Sequence, residues 1–409
     1  MEITFIPDST DYETIPTKIK MIGVGGAGGN AIASMIKSGI DGVDYLVANT
    51  DVQDLNKSLA SKKILLGPEL QRGRGAGGKP ETGKQAAEES IDNIEEAIKD
   101  AQMLFVIAGM GGGTGTGATP IILKKAREMG ILTLAIVTLP FDYEKQDKFE
   151  NASLGIKDIQ SCADSMIVIP NSRITETYED LSFDDAFEKA DTIVVNAAIS
   201  ISEIINKVGR INIDFSDVDV VLKDKGFAMI GIGFGEGENR AITAANDALT
   251  NPLLNDIDLT SCNGLLINIT AGKDFGMKEF DTINKTITSV TGSRGYQKTG
   301  LMRDEAMNGT IKITIVAAGL TPSEAVKALP TFTFDTKKNS TIKEFKVSQS
   351  TIFDSIEQKN NLNRTADVQS TNVKTNRTDG IPLFKHEDFD DNPIIKVADM
   401  PVFLKKNCN

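Results

Sequence analysis

Histidine and cysteine are scarce in this chain of 409 residues, and their scarcity narrows its chemistry. The single histidine, His386, lies in a polar stretch, which disfavours a histidine base and any multi-histidine metal site. Cys162, Cys262 and Cys408 are odd in number and far apart, so neither a disulfide framework nor a CxxC metal site is expected, and a reducing cytoplasm fits best. No apolar run approaches the ~18 residues that span a bilayer. The opening MEITFIPDST lacks the basic-then-apolar order of a signal peptide, so direct membrane insertion is not expected and any attachment must be borrowed from a partner. Positive charge is also in deficit. The net charge of −13 argues against tight, nonspecific binding to nucleic acid or anionic lipid. Carboxylates and backbone amides are left to carry the chemistry.

What is present begins with alternation. From Lys18 to about Val137, apolar runs rich in β-branched residues (19–24, 45–48, 103–108, 132–137) alternate with helix-like stretches, the pattern of a parallel α/β sheet. One such stretch, residues 80–101, opens on Pro80-Glu81, a good helix start. A further strand at 165–169 ends at Pro170-Asn171. Phe183, Phe187, Ala190, Val194, Ala197, Ile201, Ile204 and Val208 then recur at steps of four and three until Gly209, which predicts one long buried helix of roughly 38 Å. Strand-like 227–234, 264–270 and 310–318 alternate with helix-like 239–249 and 277–291, a second, smaller α/β domain. Beyond Pro330 a polar, aperiodic stretch reads as a disordered linker. The expected division is a flexible segment at 1–17, a nucleotide-binding domain at 18–182, a central helix at 183–209, a second domain at 210–330, a linker at 331–396 and an apolar terminal peptide at 397–409.

The glycines carry the functional signal. Gly23-Val-Gly25-Gly26-Ala27-Gly28 fits GxGxxG after a strand, with Asp51 closing the next strand, and alone reads as a dinucleotide-binding unit. A second loop, Gly109-Met-Gly-Gly-Gly-Thr-Gly-Thr-Gly117, again follows an apolar strand, and the next helix is expected over 120–129. Glycines let backbone N–H groups ring phosphate oxygens, and helix N-termini add favourable dipole. Two such loops imply a polyphosphate. A third turn, Gly73 to Lys79, nearly matches the Walker A pattern, but Pro80 stands where a Ser or Thr should hold Mg²⁺, so a P-loop is rejected.

At 111–118 the sequence GGGTGTGA resembles the signature loop of the tubulin/FtsZ family of GTPases in its bacterial form. The resemblance extends through Gly25-Gly26-Ala27-Gly28-Gly29-Asn30, Asn49-Thr-Asp51, Pro140-Phe141, Ile169-Pro-Asn171 and Asn212-Ile-Asp214-Phe-Ser-Asp217, covering about residues 18–320 and the last ten or so. It implies a tubulin-like fold, GTP as substrate, Mg²⁺ bridging β- and γ-phosphate oxygens with few protein ligands, and room for a monovalent cation. It further implies that Gly26–Asn30 and Gly111, Gly112, Gly113, Thr114, Gly115, Thr116 and Gly117 cradle phosphates, with Asn49, Asp51, Ala76, Gly77 and Gly78 nearby. Glu144 and Lys148 would contact ribose and phosphate, and Asn171, Phe187 and Asp191 would hold guanine. A carboxylate suits guanine, which offers an N1–H and N2 donor pair that adenine lacks. Lys148 departs from the family's usual arginine, a point charge replacing a planar fork.

The resemblance places Asn212, Asp214 and Asp217 in the nucleotide pocket of a neighbouring subunit, where they would position and polarise the attacking water. The residues themselves leave another reading open, since Asp214-x-x-Asp217 also fits a helix N-cap before 216–222. The implied function is head-to-tail polymerisation into the cytokinetic ring at mid-cell, with 397–406 recruiting membrane-anchoring and regulatory division proteins. An NAD-dependent oxidoreductase is the competing reading, and it leaves 109–117 unexplained.

Overall fold

Runs of β-branched and aliphatic residues too short for helices form strands that are buried on both faces, as in Ile19–Val24 (β1), where all six positions are buried. From β1 to β8 each strand is followed by a helix that returns the chain. The computed structural model describes residues 17–321 apart from 40–41, 178–181, 208, 251–258 and 293–294. The segments 331–396 and 397–409, and nearly all of 1–17, lie outside the described residues.

The order is β1, α1 (Gly25–Lys37), β2 (Val43–Asn49), α2 (Val52–Lys57), β3 (Lys62–Leu65), α3 (Pro80–Glu89), α4 (Ile91–Ile98), β4 (Met103–Gly109), α5 (Thr114–Glu128), β5 (Leu132–Leu139), α6 (Gln146–Cys162), β6 (Ser165–Pro170) and α7 (Ser172–Thr177). The long helix α8 (Phe183–Asn206) follows, then α9 (Phe215–Leu222), β7 (Gly226–Glu236), α10 (Arg240–Leu249), β8 (Gly264–Ala271), α11 (Met277–Thr291), β9 (Tyr296–Arg303) and β10 (Thr310–Ala318). The strands join in one sheet of order β3-β2-β1-β4-β5-β6-β7-β10-β8-β9. It is parallel from β3 to β7, with β10 running antiparallel to both β7 and β8. The two halves meet where Ser165, Met166 and Ile167 pair with Gly226, Phe227 and Ala228.

Each face of the sheet carries a core that crosses this junction. On one face Ile22, Leu104, Val106 and Ile122 belong to the same apolar cluster as Ala244, Ile267, Ile283 and Ile313. On the other, Met21, Phe105, Ile32 and Met35 join Val194, Ala198 and Ile201 of α8 and reach Val221, Leu266 and Val316. The four-and-three periodicity of α8 is the stripe that it buries against the sheet from Ala190 to Ile204, whereas Phe187, expected on the same buried stripe, is exposed.

Two expectations need correction. Residues 80–101 are not one helix: the chain steps out at Ser90, whose φ of −99° and ψ of 19° are not helical, and its hydroxyl accepts from Gly67 N–H at 3.0 Å and reaches Leu65 C=O at 3.3 Å. Tertiary hydrogen bonds there outweigh continuation of the helix. The helix expected at 120–129 instead begins at Thr114, so the end of the glycine loop is its first turn, with Pro120 accommodated inside it. The long helix ends at Asn206, and position 208 lies outside the described residues. The sequence reading passes over β3, α6 and β9.

Candidate active site

The carboxyl ends of β1 and β4 deliver the two glycine loops side by side. Helix α1 starts on Gly25 and helix α5 on Thr114, and a Cβ on Gly25 would lie 3.1 Å from Gly115 N. The Thr50 and Thr114 hydroxyls hydrogen-bond at 2.6 Å, tying the end of β2 to the same place. Between the loops opens a cavity of about 310 Å³. Gly25, Gly26, Ala27, Gly112, Gly113, Thr114 and Gly115 form one wall, and Pro140, Glu144, Lys148, Asn171 and Phe187 another. Two helix N-termini aimed into one cavity present unpaired N–H groups to an anion.

The glycines divide by what a side chain would strike. A Cβ on Gly117 would sit 1.9 Å from Pro80 C=O, and one on Gly28 2.3 Å from Ile107 C=O, so these glycines let helices approach their neighbours. Thr116 is likewise buried, its hydroxyl accepting from Gly111 N–H at 2.9 Å. Gly112, in contrast, meets nothing within 4 Å and faces the cavity. Gly29, Asn30 and Asn49 line a separate, smaller recess of about 100 Å³ behind Gly25 and Gly26. The turn carrying Ala76, Gly77 and Gly78 packs against the second loop, since a Cβ on Gly113 would meet Ala76 Cβ at 2.7 Å. Asn151 of α6, which sequence reasoning missed, donates to Gly111 C=O at 3.3 Å and to Gly78 C=O at 3.5 Å, clamping the two loops together. Only the polar face of an unrecognised helix pointed to it.

At the far end of the cavity, exposed Phe187 packs on Phe141 with ring centroids 4.8 Å apart, and Phe141 stacks on Tyr143 at 5.3 Å. This gives a planar ligand an aromatic surface. Asn171 is 7% exposed, and its Oδ1 is buried without a hydrogen-bond partner. An unsatisfied buried carbonyl at a cavity wall costs free energy until a donor arrives. Asp191 lies one helical turn beyond Phe187, half-buried, and burial together with the nearby Glu188 pushes its carboxyl up to about 6. Glu144 accepts from Phe141 N–H at 3.0 Å and pairs with the half-exposed Lys148 ammonium.

Asn212, Asp214 and Asp217 are elsewhere. They follow α8, whose 24 residues span roughly 36 Å, and none lines either cavity. Asp214 caps α9, accepting from Asp217 N–H at 2.9 Å, while Asp217 accepts from Asp214 N–H at 3.1 Å, a reciprocal capping box. Asn212 Oδ1 accepts from Gly209 N–H at 2.6 Å. Burial would raise the Asp217 carboxyl, but hydrogen bonds from Tyr296 and Lys298 outweigh it and hold it below the usual range.

Residues 18–179 match the GTPase domain of the Tubulin/FtsZ family, and residues 226–321 match the C-terminal domain of the FtsZ family. Over 303 residues the chain is 42% identical to the cell division protein FtsZ of Buchnera aphidicola subsp. Baizongia pistaciae, covering 74% of this chain and 79% of that one. The chain belongs to the FtsZ family. The FtsZ of Pseudomonas aeruginosa is 44% identical over 304 residues, covering 74% and 77% of the two chains. Among solved structures, an empty FtsZ dimer from M. jannaschii superposes with a TM-score of 0.70 at 35% identity, over 81% of this chain and 96% of that one. CetZ2 from Haloferax volcanii, a protofilament with bound GTPgS, shares the fold at 21% identity and a TM-score of 0.65, over 76% and 96% of the chains.

Membership in the FtsZ family makes the cavity part of a GTP-binding, tubulin-like GTPase domain, and it removes the oxidoreductase reading. Asp51, which a dinucleotide fold would turn to a ribose, instead caps α2, accepting from Gln53 N–H at 2.8 Å. The residues fit GTP: glycine-loop backbone donors on one wall, and Lys148, an orphaned Asn171 carbonyl and the Phe187 ring on the other, with Asp191 one helical turn beyond Phe187. Among the described residues Glu144 is the one carboxylate on the cavity wall, and it is already paired with Lys148, so Mg²⁺ would be held mostly by phosphate and water oxygens. Among the described residues no helix is long and apolar enough to cross a membrane.

Proposed function

We propose that the chain polymerises head to tail, each subunit's Asn212–Asp217 loop closing the nucleotide cavity of the next and enabling GTP hydrolysis. The observation that carries this is the separation of the two halves of the chemistry: a nucleotide cavity whose wall, among the described residues, holds a single, already paired carboxylate, and a carboxylate pair at the other end of a 24-residue helix. Acid–base and water-positioning groups act only within about 3 Å, so one subunit cannot complete the site. In the completed site Gly112, Gly113 and the α1 and α5 N-termini hold phosphates, and Lys148 offsets their charge. Asn171 and Asp191 accept from the guanine edge, and Asp214 or Asp217 orients the attacking water for in-line transfer. Mg²⁺, when bound, would supply charge neutralisation at the phosphates. The divisions 18–182, 183–209 and 210–330 then serve as nucleotide holder, spacer and activator, and 397–406 as the peptide that recruits membrane-anchoring and regulatory partners at the division site.

Phosphate release per subunit is expected to be near zero below a threshold protein concentration and to climb steeply above it, in step with GTP-dependent sedimentation. Asp217→Asn should bind GTP and sediment normally while releasing phosphate at least about tenfold more slowly, the effect expected of losing one positioned catalytic group. A rate per subunit independent of concentration would sink the shared site. Normal turnover by the folded variant would remove Asp217 from the chemistry.

A further inference from the structure

The Asn212–Asp217 loop rests on strand β9, the edge of the sheet, and β9 does more than support it. Arg210 N–H donates to Leu301 C=O at 2.7 Å and Leu301 N–H donates to Ile211 C=O at 2.9 Å, so the loop is strapped to the strand's backbone. Along β9, residues 296, 298 and 300 share one face by the two-residue period of a strand. Gly300 on that face leaves room for Ile213, because a Cβ there would come within 2.9 Å of its side chain. The two positions before it hold Tyr296 and Lys298, and both reach Asp217. The Tyr296 hydroxyl donates to Asp217 Oδ1, and Lys298 Nζ lies 2.9 Å from Oδ2.

Asp217 is 7% exposed, yet it carries this ion pair at the rim of a loop that ends in solvent-exposed Asp214. A carboxylate has about four acceptor positions. Tyr296 O–H, Lys298 N–H and Asp214 N–H occupy three of them. The ring of the carboxylate's partners fixes its rotation and leaves one direction open. For helix capping alone, the bond between Asp217 Oδ2 and Asp214 N–H suffices. The tyrosine and the lysine are therefore additional to the cap.

We propose that Tyr296 and Lys298 are positioning residues for hydrolysis, holding the Asp217 carboxylate ionised and in one orientation so that its open acceptor direction meets the water attacking the neighbour's GTP. This rests on the reading that Asp217 serves the adjacent subunit. The two side chains act through Asp217 and need not touch nucleotide. Because they sit at the end of the molecule remote from its own cavity, their loss changes turnover without changing how the same subunit binds GTP.

The test uses the full chain, with Lys298→Met, Lys298→Arg and Tyr296→Phe beside Asp217→Asn. GTP affinity of the subunit, the assembly threshold, the thermal midpoint and phosphate release per polymerised subunit are measured on each. Lys298→Met is expected to keep the first two within about twofold and to lower turnover about tenfold, a loss in kcat and not in affinity. Lys298→Arg, which keeps a cation against the carboxylate, should recover at least a third of wild-type turnover, and Tyr296→Phe should lose a smaller factor than Lys298→Met. Wild-type turnover in Lys298→Met would overturn the proposal, as would a loss that only tracks a fallen thermal midpoint and is not recovered by arginine. If Asp217→Asn itself turns over normally, the shared-site reading fails. If Asp217→Asn is slow while Lys298→Met is not, that reading stands and the positioning role alone is removed.

Discussion

Asp191 shows how a buried carboxylate can be prepared for a ligand. Burial and Glu188 raise it to about 6 in the nucleotide-free chain, against an ordinary value of 3.8, so near neutral pH it is ionised at a cost. The sign follows. With the folded value above the unfolded one, the protein without nucleotide gains stability as pH falls from about 6 toward 3.8, and bears the full penalty above 6. In the proposed site guanine would need the ionised form, since its N1–H and N2 groups only donate. GTP affinity is therefore expected to be flat above pH 7 and to fall by up to about tenfold per unit below pH 6, as required when a ligand binds only one protonation state. Asp191→Asn should abolish that slope, weaken binding at pH 7 by about 10–100-fold for a mispaired buried polar contact, and stabilise the nucleotide-free protein. Titration calorimetry across pH 5 to 8 on both proteins checks it. An unchanged slope in the variant would assign the titration elsewhere.

At the scale of elements, α9 is an eight-residue helix, too short to persist alone, and it depends on its cap and on the burial of Val218, Val221 and Leu222. Asp214 begins it. Asparagine caps about as well as aspartate, whereas alanine costs about 1 kcal/mol. Asp214→Asn is expected to melt at the wild-type temperature yet hydrolyse GTP slowly, while Asp214→Ala should lose both turnover and about 1 kcal/mol of stability. Full activity in the asparagine variant would reduce Asp214 to a cap. The break at Ser90 is a similar contest between elements, decided by Gly67 and Leu65 at the end of β3 rather than by the strong helix formers on either side.

For the molecule as a whole, the sheet passes from the nucleotide-binding half to the second half through three residue pairs at β6 and β7, a thin seam. The cores are not thin there. Both apolar clusters run across it, and α8 buries Val194, Ala198 and Ile201 in the same cluster as Val316 and Val221. All described residues fall in one compact unit. Thermal unfolding of the nucleotide-free protein below its assembly threshold is therefore expected as a single transition in calorimetry, with calorimetric and van't Hoff enthalpies equal. Two resolved transitions would mean that the halves fold independently and that the seam, not the shared cores, governs their coupling.

The residues by themselves determined the alternation of strands and helices, the long apolar stripe of α8 and the density of glycines at 109–117, because backbone periodicity and phosphate-cradling loops are local chemistry. They also pointed to a capping pair at Asp214 and Asp217 from spacing alone. Only the tertiary structure decided which glycines are free to face a ligand, since Gly112 and Gly117 are the same residue in sequence and differ by whether Pro80 lies against them. It decided that Asn171 would be left with an unsatisfied carbonyl and that Asp191 would be desolvated, effects of burial that no local pattern encodes. It placed Tyr296, on a strand without clear alternation, against an aspartate 79 positions earlier in the chain, and Lys298 against the same carboxylate. Contacts between elements far apart in sequence depend on the packing of the whole sheet, and they are where the site acquires its charge states and orientation.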